Sequence, residues 1–213
     1  MTYDSITRSL EHSSQGFDNL EILGKWALFR SQEHEAIVSL AAQAFPSTGD
    51  PGKGAETHTR AGPVLLWEKG LGDLPDDGQL HYIRPLALLN ELSYLPTWGG
   101  PESGEFVCNF ALQYPLQYLA DSGERLQLST VSAGLTPFIE FNYDQVAVGK
   151  RRNTPPDFRI SEGLAYQYGP YQLTVGTQVP LNDNASHGLQ AAVLTLIDVD
   201  LEPLIPGAGW TLF

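Results

Sequence analysis

The feature that most constrains this chain is a two-residue alternation carried across a tight turn. In Tyr171-Gln-Leu-Thr-Val-Gly-Thr-Gln-Val179 one face carries Tyr171, Leu173, Val175, Thr177 and Val179. The other carries Gln172, Thr174, Gly176 and Gln178. Just upstream, Phe158, Ile160, Leu164, Tyr166 and Tyr168 share a face against Arg159, Ser161, Gly163, Ala165 and Gln167, and only Glu162 breaks the pattern. Successive side chains of a strand point to opposite faces, whereas a helix would mix these two sets. Gly169-Pro170 sits between the segments as turn chemistry, so the two strands are predicted to pair antiparallel through a very short connection.

The habit recurs upstream. Ile139, Phe141, Tyr143 and Gln145 alternate with Phe138, Glu140, Asn142 and Asp144; Phe106, Cys108, Phe110, Leu112 and Tyr114 stand opposite Glu105, Asn109 and Gln113. A last strand is predicted over about 187–199, with Leu189, Ala191, Val193, Thr195, Ile197 and Val199 on one face and the apolar Leu194 and Leu196 on the other. The N-terminal half is noisier, with strands expected near 3–10, 20–30, 35–45, 60–68 and 81–94, and a short helical turn within 116–131. The connections 46–59, 69–80, 95–104 and 147–156 are rich in Gly, Pro, Asp and Ser, and short and long connections are expected to alternate. The 21 Gly and 15 Pro among 213 residues exceed the roughly 12% of an average chain, as a turn-rich β protein requires. No repeat of ~20–50 residues and no break in composition divides the chain. The fold predicted is all-β, an antiparallel meander barrel of about ten strands forming a single domain over 1–213.

Charge and composition exclude several functions. A formal charge of −13 opposes nucleic-acid binding, which needs a basic face against phosphate. One cysteine permits neither an internal disulfide framework nor a zinc site of several thiolates. The histidines His12, His34, His58, His81 and His187 show no metal-ligand spacing, so Glu33-His34-Glu35 reads as a solvated turn. No G-x-S-x-G elbow occurs, and Cys108 lies on the apolar face of its strand, so no nucleophile is expected. Gly49-Asp-Pro-Gly-Lys-Gly54 lacks the ending of a phosphate loop. Asp73, Asp76 and Asp77 lack the ligand pattern of a calcium loop. The chain is therefore expected not to be an enzyme and to hold no cofactor or metal.

No run reaches the ~18–20 apolar residues of a spanning helix, but a membrane strand needs only ~9–11 residues and announces itself by alternation. The start, Met1-Thr-Tyr-Asp-Ser-Ile-Thr-Arg8, shows no apolar core of a signal peptide. Alternation leaves two readings open. A soluble barrel turns the apolar face inward; a membrane barrel turns it to lipid and lines a wet lumen with the polar face. Four features favour the second, one of them the expected alternation of short and long connections, as in outer-membrane barrels. The polar faces carry Gln, Thr, Ser, Gly and Asn in place of the Lys and Glu of a soluble sheet, and only 17% of residues are charged against about 25% in typical domains. Trp67, Tyr94, Trp98, Tyr114, Tyr118, Tyr143, Tyr166, Tyr168 and Tyr171 gather near strand ends, where a bilayer interface selects amphipathic rings. The chain ends Trp210-Thr-Leu-Phe213, with the terminal aromatic familiar from exported barrels.

The lumen candidates are Glu140, Asn142, Asp144, Arg159, Gln172 and Gln178. Glu140 and Asp144 lie about 13 Å apart along one strand face, beyond the ~5–9.5 Å of a glycosidase pair. With Arg159 from the next strand they are expected to form a charged cluster, either a structural ion-pair network or a constriction that selects solutes. Lys150-Arg151-Arg152 before Pro155-Pro156 reads as an exposed loop able to meet lipid phosphate.

Several segments in order resemble a family of Gram-negative outer-membrane β-barrel proteins of the transporter type, distantly akin to outer-membrane proteins of phenol-degradation meta-pathways. They are Gly16-Phe-Asp-Asn-Leu20, Glu33-His-Glu-Ala-Ile-Val-Ser39, Gly70-Leu-Gly-Asp-Leu-Pro75, Arg84-Pro85, Pro137-Phe-Ile-Glu140, Gln178-Val-Pro-Leu-Asn182, Gly188-Leu-Gln-Ala-Ala-Val193 and the stretch from Asp198 to Pro206. The resemblance implies an export signal and one or two further strands ahead of Met1 and a location in the bacterial outer membrane, and it carries over no catalytic residues. The resulting expectation is a passive transporter or channel whose partners are a small-molecule solute and outer-membrane lipid, with no nucleic acid. The alternative is a soluble β-barrel or sandwich binding a small apolar ligand. The pattern sets no oligomeric state.

Overall fold

The computed structural model describes residues 3–8, 12–17, 19–51, 55–75, 78–99, 103–121, 129–149, 155–186 and 191–199. Among them the chain is all-β with three short helices. The elements are β1 (Tyr3–Arg8), β2 (His12–Phe17), β3 (Ile22–Ser31), β4 (Ala36–Phe45), β5 (Thr59–Gly70), β6 (Ala87–Trp98) and β7 (Ser103–Gln113). There follow α1 (Leu116–Asp121), α2 (Thr130–Ala133), β8 (Leu135–Gly149), β9 (Asp157–Tyr168), β10 (Tyr171–Pro180), α3 (Asp183–Ser186) and β11 (Ala192–Val199). Strands β3 to β11 form one nine-stranded antiparallel meander in strict chain order, and β1 and β2 pair as a separate two-stranded sheet. The sheet is not closed: β3 and β11 are its two edges.

The alternating segments fold as the period requires. β9 and β10 pair through Gly169-Pro170, Tyr168 against Tyr171 and Val179 against Ile160. Gly169 takes φ +55°, which a glycine adopts at little cost. Three expectations are corrected. The strand expected at 81–94 begins at Ala87, because a 3-10 turn at Leu80–Tyr82 and Pro85 occupy its first residues. The strand His12–Phe17 was missed, since His-Ser-Ser-Gln-Gly-Phe shows no apolar alternation. Short and long connections do not segregate: one end of the sheet carries 32–35, 71–86, 114–134 and 169–170, the other 46–58, 99–102, 150–156 and 181–191. The helical turn expected within 116–131 is present as α1. The segments Lys150–Arg152, 187–190 and Trp210–Phe213 lie outside the described residues.

Register decides which side chains share a face, because residues directly opposite in an antiparallel pair point the same way. One face carries Trp26, Leu40, Leu65, Leu92, Phe141, Phe158, Leu164, Tyr171, Leu173, Val175, Val179, Val193 and Ile197, all of them exposed. Val175 and Leu164 lie opposite each other at 46% and 47% exposure. The second face carries the buried Ser39, Ala41, Val64, Ser93 and Ser161, each at 5% exposure or less. Among the described residues no second layer covers this face, so its burial comes from the sheet curving around its own short side chains. Curvature shows where β9 meets β10. Gly163 and Gly176 are opposite each other on the buried face, and a Cβ on Gly163 would meet the Val175 carbonyl oxygen first, then the Gly176 Cα at 2.7 Å and the Phe138 ring at 2.9 Å. Gly163→Ala is therefore expected to overpack this contact and lower stability by about 1–3 kcal/mol, read as a shift in the urea midpoint at unchanged m-value.

The exposed face is greasy and the covered face is polar, the reverse of a water-soluble sheet. Glu162 is the one carboxylate in the middle of the apolar face among the described residues, opposite Thr177 and Ile139.

Candidate functional site

The covered face carries a polar chain across five strands. Asn109 on β7 donates to Glu91 on β6 at 3.5 Å. The Asn142 amide on β8 donates to Asn109 at 3.1 Å and to Glu140 at 2.5 Å. Ser161 on β9 donates to Asn142 at 3.2 Å, and Gln178 on β10 donates to Ser161 at 3.2 Å. Each link joins side chains that the register places on neighbouring strands or two residues apart, so the network follows from the pairing itself.

Beside this amide chain lie two charged clusters. The Arg159 guanidinium bridges Asp144 at 2.7 Å and Asp157 at 2.8 Å. Its planar fork suits two carboxylates at once, where a lysine would serve one. Asp157 is held in turn by the Asn184 amide, and Asn182 Oδ1 accepts from the Phe158 and Ala185 amides at 3.3 and 3.0 Å. The other cluster centres on Arg60 of β5. It pairs with Glu105 of β7, lies 2.6 Å from Glu56, and its guanidinium sits 5.3 Å from the Phe45 ring centre.

Of the six candidate residues, Glu140, Asn142, Asp144, Arg159 and Gln178 come together in this network. Glu140 bonds the Asn142 amide, while Arg159 is committed to the two aspartates, so the expected single cluster of Glu140, Asp144 and Arg159 is two adjoining groups. Gln172 shares the face but lies at the far end of β10, donating to Thr174 at 3.3 Å. Sequence reasoning missed Arg60, Glu91 and Asp157. Their signal was a charge inside a strand, hidden in β5 and β6 by weak alternation.

The 32–35 end is braced by three segments far apart in sequence. Glu35 sits at φ +45°, strained for a residue with a Cβ, and its carboxylate accepts from Gly72 N–H at 2.8 Å. Gly70 N–H donates to the Glu35 carbonyl at 2.9 Å. Arg84 donates to the Gly72 carbonyl at 2.7 Å and stacks 5.9 Å from the Tyr118 ring centre. The turn at Glu33-His34-Glu35 is thus more than solvated. His34 also reaches Asp73 at 3.5 Å, and Lys69 binds Asp73 at 2.8 Å. The Lys69 hydrogen bond, opposed by partial desolvation and assisted by the His34 contact, holds the Asp73 carboxyl below its ordinary range. A depressed carboxyl contributes stability above its unfolded value near ~3.9, lost as pH falls through the folded value. Asp73→Asn is accordingly expected to lower stability slightly at neutral pH, to leave it unchanged at the acid extreme, and so to flatten the acid limb of a pH–stability curve below about pH 4.

A cavity of about 370 Å³ opens at this same end, lined among others by Arg30, Ile37, Glu68, Leu89 and Gln113. No group of three or more metal-ligating side chains occurs among the described residues. Cys108 is half-buried on the apolar face, opposite Leu92 and Tyr143.

No family model, curated protein or solved structure matches this chain.

Proposed function

We propose that this chain builds the wall of an outer-membrane β-barrel that passes or binds a small solute in a polar interior, without covalent chemistry. The observation that supports this reading best is the inverted sheet: exposed Leu164, Leu173 and Val175 outside, and a hydrogen-bonded ladder from Glu91 to Gln178 behind them. In water the exposed face would be a contiguous apolar surface far beyond what soluble monomers tolerate. Against hydrocarbon it is the favourable side, and closure then removes the open edges that lipid cannot satisfy.

The aromatic positions agree. Phe106, Tyr143 and Phe158 form an edge-on row with ring centres 6.4 and 5.1 Å apart. Near the other end Tyr168 and Tyr171 lie exposed. From Phe158 to Tyr168 a strand rises roughly 33 Å at ~3.3 Å per residue, about 25 Å in height at a ~40° tilt, the height of a membrane barrel's apolar band.

The interior network sets the expected selectivity. In the hydrogen-bonded and ion-paired network among the described residues, Glu91, Glu105, Glu140, Asp144 and Asp157 stand with Arg60 and Arg159, so its fixed charge is negative. In planar bilayers under a salt gradient, the full chain is expected to conduct with a reversal potential on the cation side. A chain that stays in buffer without detergent and carries no current would favour the soluble carrier.

A further inference from the structure

We infer that the cavity at the 32–35 end is a binding site for small zwitterions whose opposite charges lie about 4 Å apart, such as free amino acids. The inference rests on the reading that the covered face is the wet interior, and it names the class of solute.

The cavity floor is one register row. Arg30 on β3 is opposite Ile37 on β4, Ile37 opposite Glu68 on β5, and Glu68 opposite Leu89 on β6. All four line the cavity. Arg30 and Glu68 are therefore separated by two strand spacings of ~4.8 Å, roughly 10 Å, with an apolar side chain between them. Side chains of a strand stand nearly perpendicular to the sheet, so the two heads stay too far apart to pair. Among the described residues neither one makes a salt bridge or side-chain hydrogen bond. The neighbouring charges are already committed: Lys69 to Asp73, and Glu35 to Gly72. What faces the cavity is thus one cation and one carboxylate across an apolar floor.

The gap specifies the guest. A charge-assisted hydrogen bond of ~2.8 Å at each head leaves roughly 4 Å of the 10 Å between them. A carboxylate must occupy the Arg30 side of that space and an ammonium the Glu68 side. α- and β-amino acids carry their charges at that separation. A simple anion or cation satisfies only one head, whereas a zwitterion gains a charge-assisted bond at each. The volume, about 370 Å³, falls in the range of small-ligand sites.

The test is a ligand-observed NMR titration of the full chain in detergent with glycine, β-alanine, acetate and methylammonium. A heat-modifiable gel shift is verified first on the same sample. Glycine or β-alanine is expected to bind at least tenfold more tightly than acetate or methylammonium. Arg30→Gln and Glu68→Gln are each expected to remove that preference, and the charge-swapped double variant R30E/E68R to restore it. With the gel shift intact, equal binding of all four probes, or a preference unchanged in Arg30→Gln, overturns the zwitterion site and spares the barrel. Absence of the shift overturns the barrel reading and this site with it.

Discussion

Replacing Val175 by arginine is expected to cost the assembled protein about 2–4 kcal/mol, the penalty for a basic side chain on the lipid face near mid-bilayer. Val175 lies in the middle of β10, 46% exposed, with Leu164 and Thr195 opposite it on the two neighbouring strands. It makes the experiment sharp because the two environments give opposite answers. An exposed valine on a soluble sheet tolerates arginine within about 0.5 kcal/mol, and the added charge would improve solubility. Urea titration of the protein in lipid vesicles, read by the fraction retaining its folded gel mobility, measures the difference. A stability loss of at least 2 kcal/mol supports lipid contact; a neutral result removes it.

The second large effect is expected at Arg159. Replacing it by methionine keeps most of the stem's packing but strands Asp144 and Asp157, whose side chains are 19% and 17% exposed. Removing one partner of a covered ion pair costs about 3–5 kcal/mol, because the remaining charge stays desolvated. Two aspartates left together add mutual repulsion. The lower part of that range is the expectation here, since the Asn184 amide still bonds Asp157. Arg159→Lys keeps the charge but loses the fork, so its loss is expected to fall between wild type and Arg159→Met. Adding Asp144→Asn to Arg159→Met should recover part of the loss. If Arg159→Met matches wild type in the same urea titration, the charged cluster holds nothing together.

The legible part of the fold was the part whose signal is local. From Phe138 to Val179 the alternation is short-range and clean, so strands, turn and shared faces could be read from spacing alone. In β4, by contrast, Leu40, Ala41 and Ala42 are apolar in succession, and period two disappears. β6 was misplaced because a 3-10 turn and Pro85 precede it; Arg84 between them is held by the Gly72 carbonyl and lies over the Tyr118 ring, partners distant in sequence.

The same distinction holds for the site. Asp144 with Arg159 was legible, since both alternate onto the polar faces of adjoining strands and lie on a register diagonal. Arg60 with Glu105 was not, because β6 lies between their strands and the pairing depends on two registers at once. The segments Glu33–Glu35, Gly70–Leu74 and Arg84–Pro85, noted separately along the chain, meet at one end through Glu35 and Gly72. Their separation in sequence hid that they form one brace. What alternation alone could not say is which face meets solvent, since the same pattern serves a soluble barrel and a membrane barrel equally.

Cys108 offers the most direct measurement of that remaining question. It is the single cysteine of the chain and lies on the apolar face of β7. A nitroxide on Cys108 in vesicle-reconstituted protein is compared with one on Asn142→Cys in a Cys108→Ser background. The Cys108 label is expected to collide more with dissolved oxygen than with a water-soluble nickel chelate, and the label at position 142 to show the reverse. A Cys108 label shielded from both reagents, or reached preferentially by the chelate, would contradict an apolar face turned toward lipid.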